Sequence, residues 1–297
     1  MDINFELYKI FYYAAASGSF STAAARLYIT QSAVSQAIKN LETRLGVLLF
    51  FRKNRHLKLT REGELLFSHV EQAFNLLKSA ESKMAELQDL ESGSIQVGAS
   101  DTVCKYLLLP YLKEFNRRYP KLKIKVINRT SAQILAILKN GALDFGIVTL
   151  PLSDRQMSIR PFITVEDILI AGPRFADLSE RRIALAELPE YPLLLLEKTS
   201  ATRRNFDEFL KKNDIGVTPE LELESVDLLV EFARIGQGVA YVQRESALPF
   251  IATGELFEVK VNEELPKRSL GIAALENVPL SRAAECFIKL LLTEKIN

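Results

Sequence analysis

Gln31, Ser32, Ser35, Gln36 and Lys39 are five hydrogen-bonding side chains spaced so that one face of a helix carries them. Val34, Ile38, Leu41 and Leu45 fall at i, i+4, i+7 and i+11, which makes them the buried stripe of the same helix. Amide, hydroxyl and ammonium groups presented together suit the edges of base pairs in a DNA major groove. A second set of polar groups follows. Arg52, Lys53 and Arg55 lie between Leu49-Phe50 and a short run in which Leu57 and Leu59 alternate with His56 and Lys58. That alternation predicts a strand. The basic cluster is then the tip of a two-stranded wing resting on phosphates.

Two elements must hold the first set in place. A small-residue helix over 22–28 meets a break at Ile29-Thr30, and a second helix starts at Gln31 or Ser32. This is the order of a helix-turn-helix, and Ala23, Ala24 and Ala25 let its helices approach closely. Ahead of it, Asn4 caps a helix that runs to about Ser17, with Phe5, Tyr8, Phe11, Tyr12 and Ala15 on its core face. Gly18 ends that helix, and Ser19 or Ser21 caps the next. Beyond the wing, Thr60 reads as the N-cap of a long helix reaching about residue 91, with Glu62 and Glu64 favoured in its first turns. Leu66, Val70, Ala73, Leu77, Ala80, Met84 and Leu87 recur along it in alternating steps of four and three. That is a coiled-coil seam, and it predicts a dimer whose two readers meet two half-sites, the alternative being a long surface helix packed on its own domain.

The charge distribution agrees. The net charge of +1 over 297 residues would by itself argue against a nucleic-acid partner. Yet residues 1–61 hold 9 Lys/Arg against 3 Asp/Glu, residues 62–92 hold 2 against 7, and residues 93–297 hold 27 against 27. The basic excess lies where the helix-turn-helix lies. A chain of this length predicts two or three domains. Cys104 and Cys286 are too far apart for a CxxC or zinc set and are expected to be buried, inert thiols. His56 and His69 are the only histidines, too few for a catalytic or metal cluster. No phosphate-binding loop or serine-hydrolase elbow is present, and Gly236-Gln237-Gly238 precedes a strand where a dinucleotide fingerprint should follow one. The expected protein is therefore not an enzyme. Lacking a leader-type segment or a membrane-length apolar run, it is expected to be cytoplasmic.

After a hinge at Ser92-Gly93-Ser94, strands and helices alternate. Strands are expected at 95–99, 122–128 and 145–148, with helices at 103–119 and 131–140 between them, a βαβαβ order that predicts a parallel sheet. A similar unit follows, with strands at 167–171, 193–196, 220–223 and 238–242 and helices at 201–213 and 226–235. A last strand (269–274) and helix (281–293) could return to the first unit. Ligands of open α/β sheets bind beyond the carboxyl ends of strands, near helix N-termini. Here those ends carry Ser100-Asp101-Thr102, Thr130-Ser131, Thr149 and Thr199-Ser200, with Thr202. Their hydroxyl and N–H groups suit a carboxylate, sulfate or phosphate, although Ser and Thr also simply cap helices. Arg129, Lys198 and Arg203 stand nearby as candidate neutralising cations.

The run SFSTAAARLYITQSAVSQAIKNLE, with RLGVLLFFR and LTREG after it, resembles the N-terminal domain of LysR-type transcriptional regulators. Gln31-Ser32-Ala33-Val34-Ser35 fits one usual opening of the family's recognition helix. Many members carry Arg where this chain has Gln36, so base preference is not carried over. The resemblance covers essentially the whole chain and is strongest over 4–63. It implies a winged helix-turn-helix (all-α with a small wing) over 1–61, a linker and dimerisation helix over 62–91, and a two-lobed α/β effector domain of periplasmic-binding-protein type over 92–297. Lobe 1 would take about 94–160 and 269–297, and lobe 2 about 165–266. Crossing strands would lie near 158–164 and 266–269. Effector contacts carry over to Ser100, Thr102, Ser131, Thr149, Thr199 and Ser200. The implied partners are double-stranded DNA, a small-molecule effector and further copies of the chain, as homodimer or homotetramer, with no cofactor. A constitutive nucleoid-type DNA binder, and a cytosolic binding protein or enzyme on the same scaffold, are the alternatives.

Overall fold

The structure is a computed structural model and describes residues 3–51, 57–88 and 93–294. It divides into two compact units, one comprising residues 1–81 with 140–142 and the other the remainder.

The N-terminal unit contains α1 (Phe5–Ser17), α2 (Phe20–Leu27), α3 (Gln31–Leu45), β1 (Phe50–Phe51), β2 (Lys58–Leu59) and most of α4 (Arg61–Gln88). The expected caps form: the Asn4 side chain accepts from the Glu6 N–H, Ser19 from Thr22, and Thr60 from Gly63; Thr30, read only as part of a break, caps α3 by accepting from Ala33. β1 and β2 pair antiparallel, Phe50 opposite Leu59. The core joins Phe11, Ala14, Ala23, Ala24, Val34, Ile38 and Leu41 to Leu49, Phe50, Val70 and Phe74. Leu66 and Val70, two residues of the expected dimer seam, thus pack inside their own unit. A heptad pattern records which residues are apolar, not whose surface covers them. Further along, Leu77, Ala80 and Met84 are exposed and Ala73 is half-buried. The side chain of Leu87 lies outside the described residues, as do Arg52, Lys53 and Arg55.

The second unit has two five-stranded sheets. The first has the order β4-β3-β5-β12-β6, from β3 (Ser94–Ala99), β4 (Lys123–Asn128), β5 (Phe145–Leu150), β6 (Met157–Val165) and β12 (Arg268–Leu275). Its helices are α5 (Asp101–Val103), a π-helical turn (Cys104–Leu108), α6 (Leu109–Arg118), α7 (Ser131–Lys139) and α11 (Arg282–Thr293). The second has the order β11-β7-β10-β8-β9, from β7 (Asp167–Ala171), β8 (Leu193–Leu196), β9 (Leu221–Leu223), β10 (Val239–Gln243) and β11 (Phe257–Val259). Its helices are α8 (Ala201–Lys212), α9 (Val226–Arg234) and α10 (Arg244–Ala252). Each sheet is buried on both faces: one pair of apolar clusters flanks the first and another pair the second.

Several expectations shift. β3 pairs parallel with β4 and β5, as the βαβαβ order requires, but β12 runs antiparallel between β5 and β6. Residues 158–164 are therefore not a crossing. They lie inside β6, paired along β12, and the chain changes sheets at Glu166. Ser94 belongs to β3, which shortens the expected hinge. Cys104 and Cys286 are half-buried free thiols rather than core residues. The Cys104 thiol donates to Asn128 Oδ1 at 3.0 Å, and burial, then Asp101, push it up to about 11. No helix among the described residues is long and apolar enough to cross a membrane.

Candidate functional site

Two surfaces carry the candidate chemistry. On the first, Gln31, Ser32, Ser35, Gln36 and Lys39 are all exposed, while Val34, Ile38 and Leu41 behind them are buried. The Thr30 hydroxyl joins the start of α3 to Ser32, at 2.9 Å between the two oxygens. The wing is anchored from both sides. The buried carboxylate of Glu42 accepts from the N–H groups of Leu49 (2.8 Å) and Phe50 (3.4 Å). The Thr60 hydroxyl donates to the carbonyl of Leu48 at 2.7 Å and accepts from the Gly63 N–H at 3.0 Å. Gly63 lies so close to this segment that a Cβ there would sit 2.1 Å from the Leu49 carbonyl oxygen. That contact gives a physical reason for the glycine in the LTREG motif. The wing is thus positioned on the recognition helix by a carboxylate and a glycine that sequence spacing did not single out.

The second surface is a cavity of about 450 Å³ in the second unit. Ser100, Thr102, Ser131, Thr149, Thr199 and Ser200 all line it, as do Thr130 and Thr202. The first four come from strand ends of the first sheet, and Thr199 and Ser200 from the end of β8 in the second. Three of these hydroxyls are already engaged: Ser100 Oγ accepts from the Val103 N–H at 3.4 Å, Ser131 Oγ from the Thr149 N–H at 3.0 Å, and Thr130 Oγ1 donates to Gln133 Oε1 at 3.3 Å. Ser200 caps α8 with no side-chain hydrogen bond. The cap residue's hydroxyl and the helix's unpaired first N–H groups then lie together beside the cavity, an arrangement that favours an anion.

The cations sort differently from expectation. Arg129 lines the cavity, with Nη1 donating to the Asn128 carbonyl at 2.7 Å. Lys198 is not among the lining residues. Arg203 is 4% exposed and serves the fold: it binds Asp207 (2.7 Å), Glu222 (3.0 Å) and the Leu196 carbonyl (2.7 Å). The residue that sequence reading missed is Arg268. It opens β12, is 4% exposed, and lines the cavity beside Gln243. Its Nε and Nη2 bind the buried carboxylate of Asp167, which opens β7, and Nη2 lies 3.5 Å from Gln243 Oε1. Nη1 makes no hydrogen bond among the described residues. Burial pushes the Asp167 carboxyl up, against the pull of Arg268. The only signal in the sequence was an arginine leading a hydrophobic strand, and its partner is 101 residues away.

The two sheets' helices also meet directly. Lys105 Nζ on the π-helical turn binds Asp227 Oδ2 of α9 at 2.7 Å, and the Tyr106 hydroxyl binds the other oxygen. Partial burial raises the Asp227 carboxyl, but the hydrogen bonds from Lys105 and Tyr106 outweigh it and hold the group below its ordinary value.

Comparison with known proteins follows the same division. The family model described as bacterial regulatory helix-turn-helix protein, lysR family, matches residues 5–64, and that for the LysR substrate binding domain matches 88–295. A relative named "Probable RuBisCO transcriptional regulator", from Cyanidioschyzon merolae, is 30% identical over 296 residues, 96% of each chain. A full-length variant of OxyR from Pseudomonas aeruginosa shares the fold at a TM-score of 0.73 and 21% identity, over 100% of this chain and 97% of that one. The regulatory domain of Synechocystis PCC6803 CcmR, solved in complex with 2-PG, has a TM-score of 0.61 at 24% identity and covers 67% of this chain and 95% of its own. With a helix-turn-helix unit first in the sequence, a two-sheet unit with a polar cavity after it, and both family models matched in that order, the chain belongs to the LysR family of DNA-binding transcriptional regulators.

Proposed function

We propose that this regulator answers to a small anionic effector held between the two sheets of its second unit. One observation carries the reading: six hydroxyl residues from four separate strand ends line one cavity with Arg129 and Arg268. An effector seated there touches both sheets, so it favours whichever arrangement of the two lobes brings its contacts together. It shifts that equilibrium only by its difference in affinity for the two arrangements. The likeness of fold to a regulatory domain solved in complex with 2-PG supports a small-molecule effector for this one. The full chain should therefore gain melting temperature with at least one member of a panel of small carboxylates and phosphorylated acids, and Arg129→Ala should reduce that gain. If no member raises the melting temperature, the reading fails.

On the DNA side, Gln31, Ser32, Ser35, Gln36 and Lys39 face base edges, and Arg52, Lys53 and Arg55 hold phosphates. Leu77, Ala80 and Met84 form the part of the seam left for a second copy, in a homodimer or a homotetramer. The chain acts by binding and not by catalysis, in keeping with the name of its relative. Gln36→Ala is expected to cost about 1–3 kcal/mol of discrimination at one base position, as for the loss of one good base contact. Arg52→Ala should instead weaken all duplexes alike and flatten the salt dependence. Equal losses on selected and random duplexes for Gln36→Ala would remove it from the set of base readers.

A further inference from the structure

We infer that Tyr28 is a DNA-contacting residue whose hydroxyl donates to a backbone phosphate at the edge of the groove that α3 enters. The inference begins with an inconsistency in how this chain ends its helices. α1, α2 and α3 all close on a residue in the left-handed conformation. At α1 and α3 that residue is glycine, Gly18 (φ 61°) and Gly46 (φ 72°). At α2 it is Tyr28, with φ 56° and ψ 37°. A left-handed backbone is free for glycine and costly for any residue with a Cβ, all the more for a bulky one. The cap itself needs only the backbone, since the Tyr28 N–H reaches the carbonyls of Ala24 and Ala25.

Among the described residues the ring makes no contact that would offset this cost. Tyr28 is 96% exposed, above every other large hydrophobic residue among those described; Met84 follows at 69%. It takes part in no ring stacking, cation–π contact or side-chain hydrogen bond among the described residues, unlike Tyr12, which stacks on Phe67 and Phe74. For folding alone, glycine would serve better at this place. A tyrosine held out in solvent on a strained backbone points to a partner outside the chain.

Its position identifies that partner. Tyr28 lies in the turn of the helix-turn-helix, three residues before Gln31 and two before Thr30, the cap of α3. In this motif the start of the second helix enters the major groove, so the turn just before it passes the phosphates at the groove's edge. Tyrosine is among the side chains that bind phosphate oxygens, and its ring can cover the neighbouring sugar. Because the donor is neutral, the contact adds affinity without releasing a counterion, and this distinguishes it from the Lys and Arg contacts.

The test uses the full chain and a random-sequence duplex, because a phosphate contact does not depend on sequence. Tyr28→Phe should weaken binding by about 3–10-fold, the loss of one hydrogen bond. The slope of affinity against salt should stay as in the parent. Tyr28→Gly should weaken binding at least as much, while the melting temperature of the N-terminal unit holds or rises. Unchanged affinity in Tyr28→Phe overturns the phosphate contact. A lowered melting temperature in Tyr28→Gly overturns the premise that the ring is idle in the fold.

Discussion

Arg268→Met should destabilise the second unit by about 3–5 kcal/mol, the usual cost of leaving one partner of a buried ion pair alone. Arg268 and Asp167 are respectively 4% and 3% exposed, and they open the two strands at which the chain passes between its sheets. Methionine fills much of the arginine's volume, so the loss is electrostatic rather than a cavity. It should also depend on pH. With the guanidinium gone, burial, helped by the charge of Glu245 and opposed only by Tyr241, raises the Asp167 carboxyl further above the value of the unfolded chain. A group raised in the folded state contributes stability at low pH and loses it as pH rises through the folded value. The deficit against the parent should therefore be smaller at about pH 5 than at about pH 8. Urea unfolding at the two pH values measures it, and a pH-independent deficit would contradict the assignment. The double variant Asp167→Leu with Arg268→Met should recover most of the stability, since replacing both charges leaves neither stranded. It should not recover effector binding, because the cavity still lacks its arginine.

Gly63→Ala should impair the DNA reader with comparable force. The added carbon would meet the Leu49 carbonyl oxygen at 2.1 Å, and that oxygen is already fixed by the Thr60 N–H at 3.0 Å. Backbone cannot rotate aside as a long side chain can, so the start of α4 must move away from the wing. Overpacking of this kind costs about 1–3 kcal/mol and occasionally more; contact with backbone places this variant at the upper end. In a unit of this size each kcal/mol lowers the melting temperature by roughly 4–8 °C. Duplex binding should fall on warming well before that of the parent, while melting of the second unit stays in place. Gly216→Ala is the matched control, since a Cβ there meets nothing within 4 Å. Parent-like duplex binding by Gly63→Ala across the same temperatures would contradict the close approach.

The features legible in the sequence were those set by local periodicity. The stripe Val34, Ile38 and Leu41, the caps Asn4, Ser19 and Thr60, and the strands at 167–171 and 193–196 each depend on residues within one or two turns. The hydroxyl-bearing turns were legible for a related reason: in an α/β sheet the carboxyl end of a strand is a place as well as a residue. What depended on distant partners was not. The alternation of β6 breaks at Phe162, where its register against β12 shifts between Leu270 and Gly271, and only that antiparallel partner reveals it as part of the first sheet. Arg203 and Arg268 look alike in sequence, yet Arg203 binds Asp207, Glu222 and the Leu196 carbonyl and is not among the residues lining the cavity, while Arg268 lines it. The π-helical turn that aims Lys105 and Tyr106 at Asp227 left no mark in a segment that reads as ordinary helix.

The antiparallel return of β12 also bears on how the protein is made. β3 leaves the ribosome early, but its sheet cannot be finished until β12 arrives, and β6 has no other strand to pair with. From the end of β3 at Ala99 to the end of β12 at Leu275, translation at roughly 5–20 residues per second takes about 10–35 s. All five strands of the second sheet, from Asp167 to Val259, emerge within that interval. The nascent chain thus completes its reader first, then the later-encoded sheet. The sheet begun earlier waits longest, with an unpaired edge for which ribosome-bound chaperones are the natural cover.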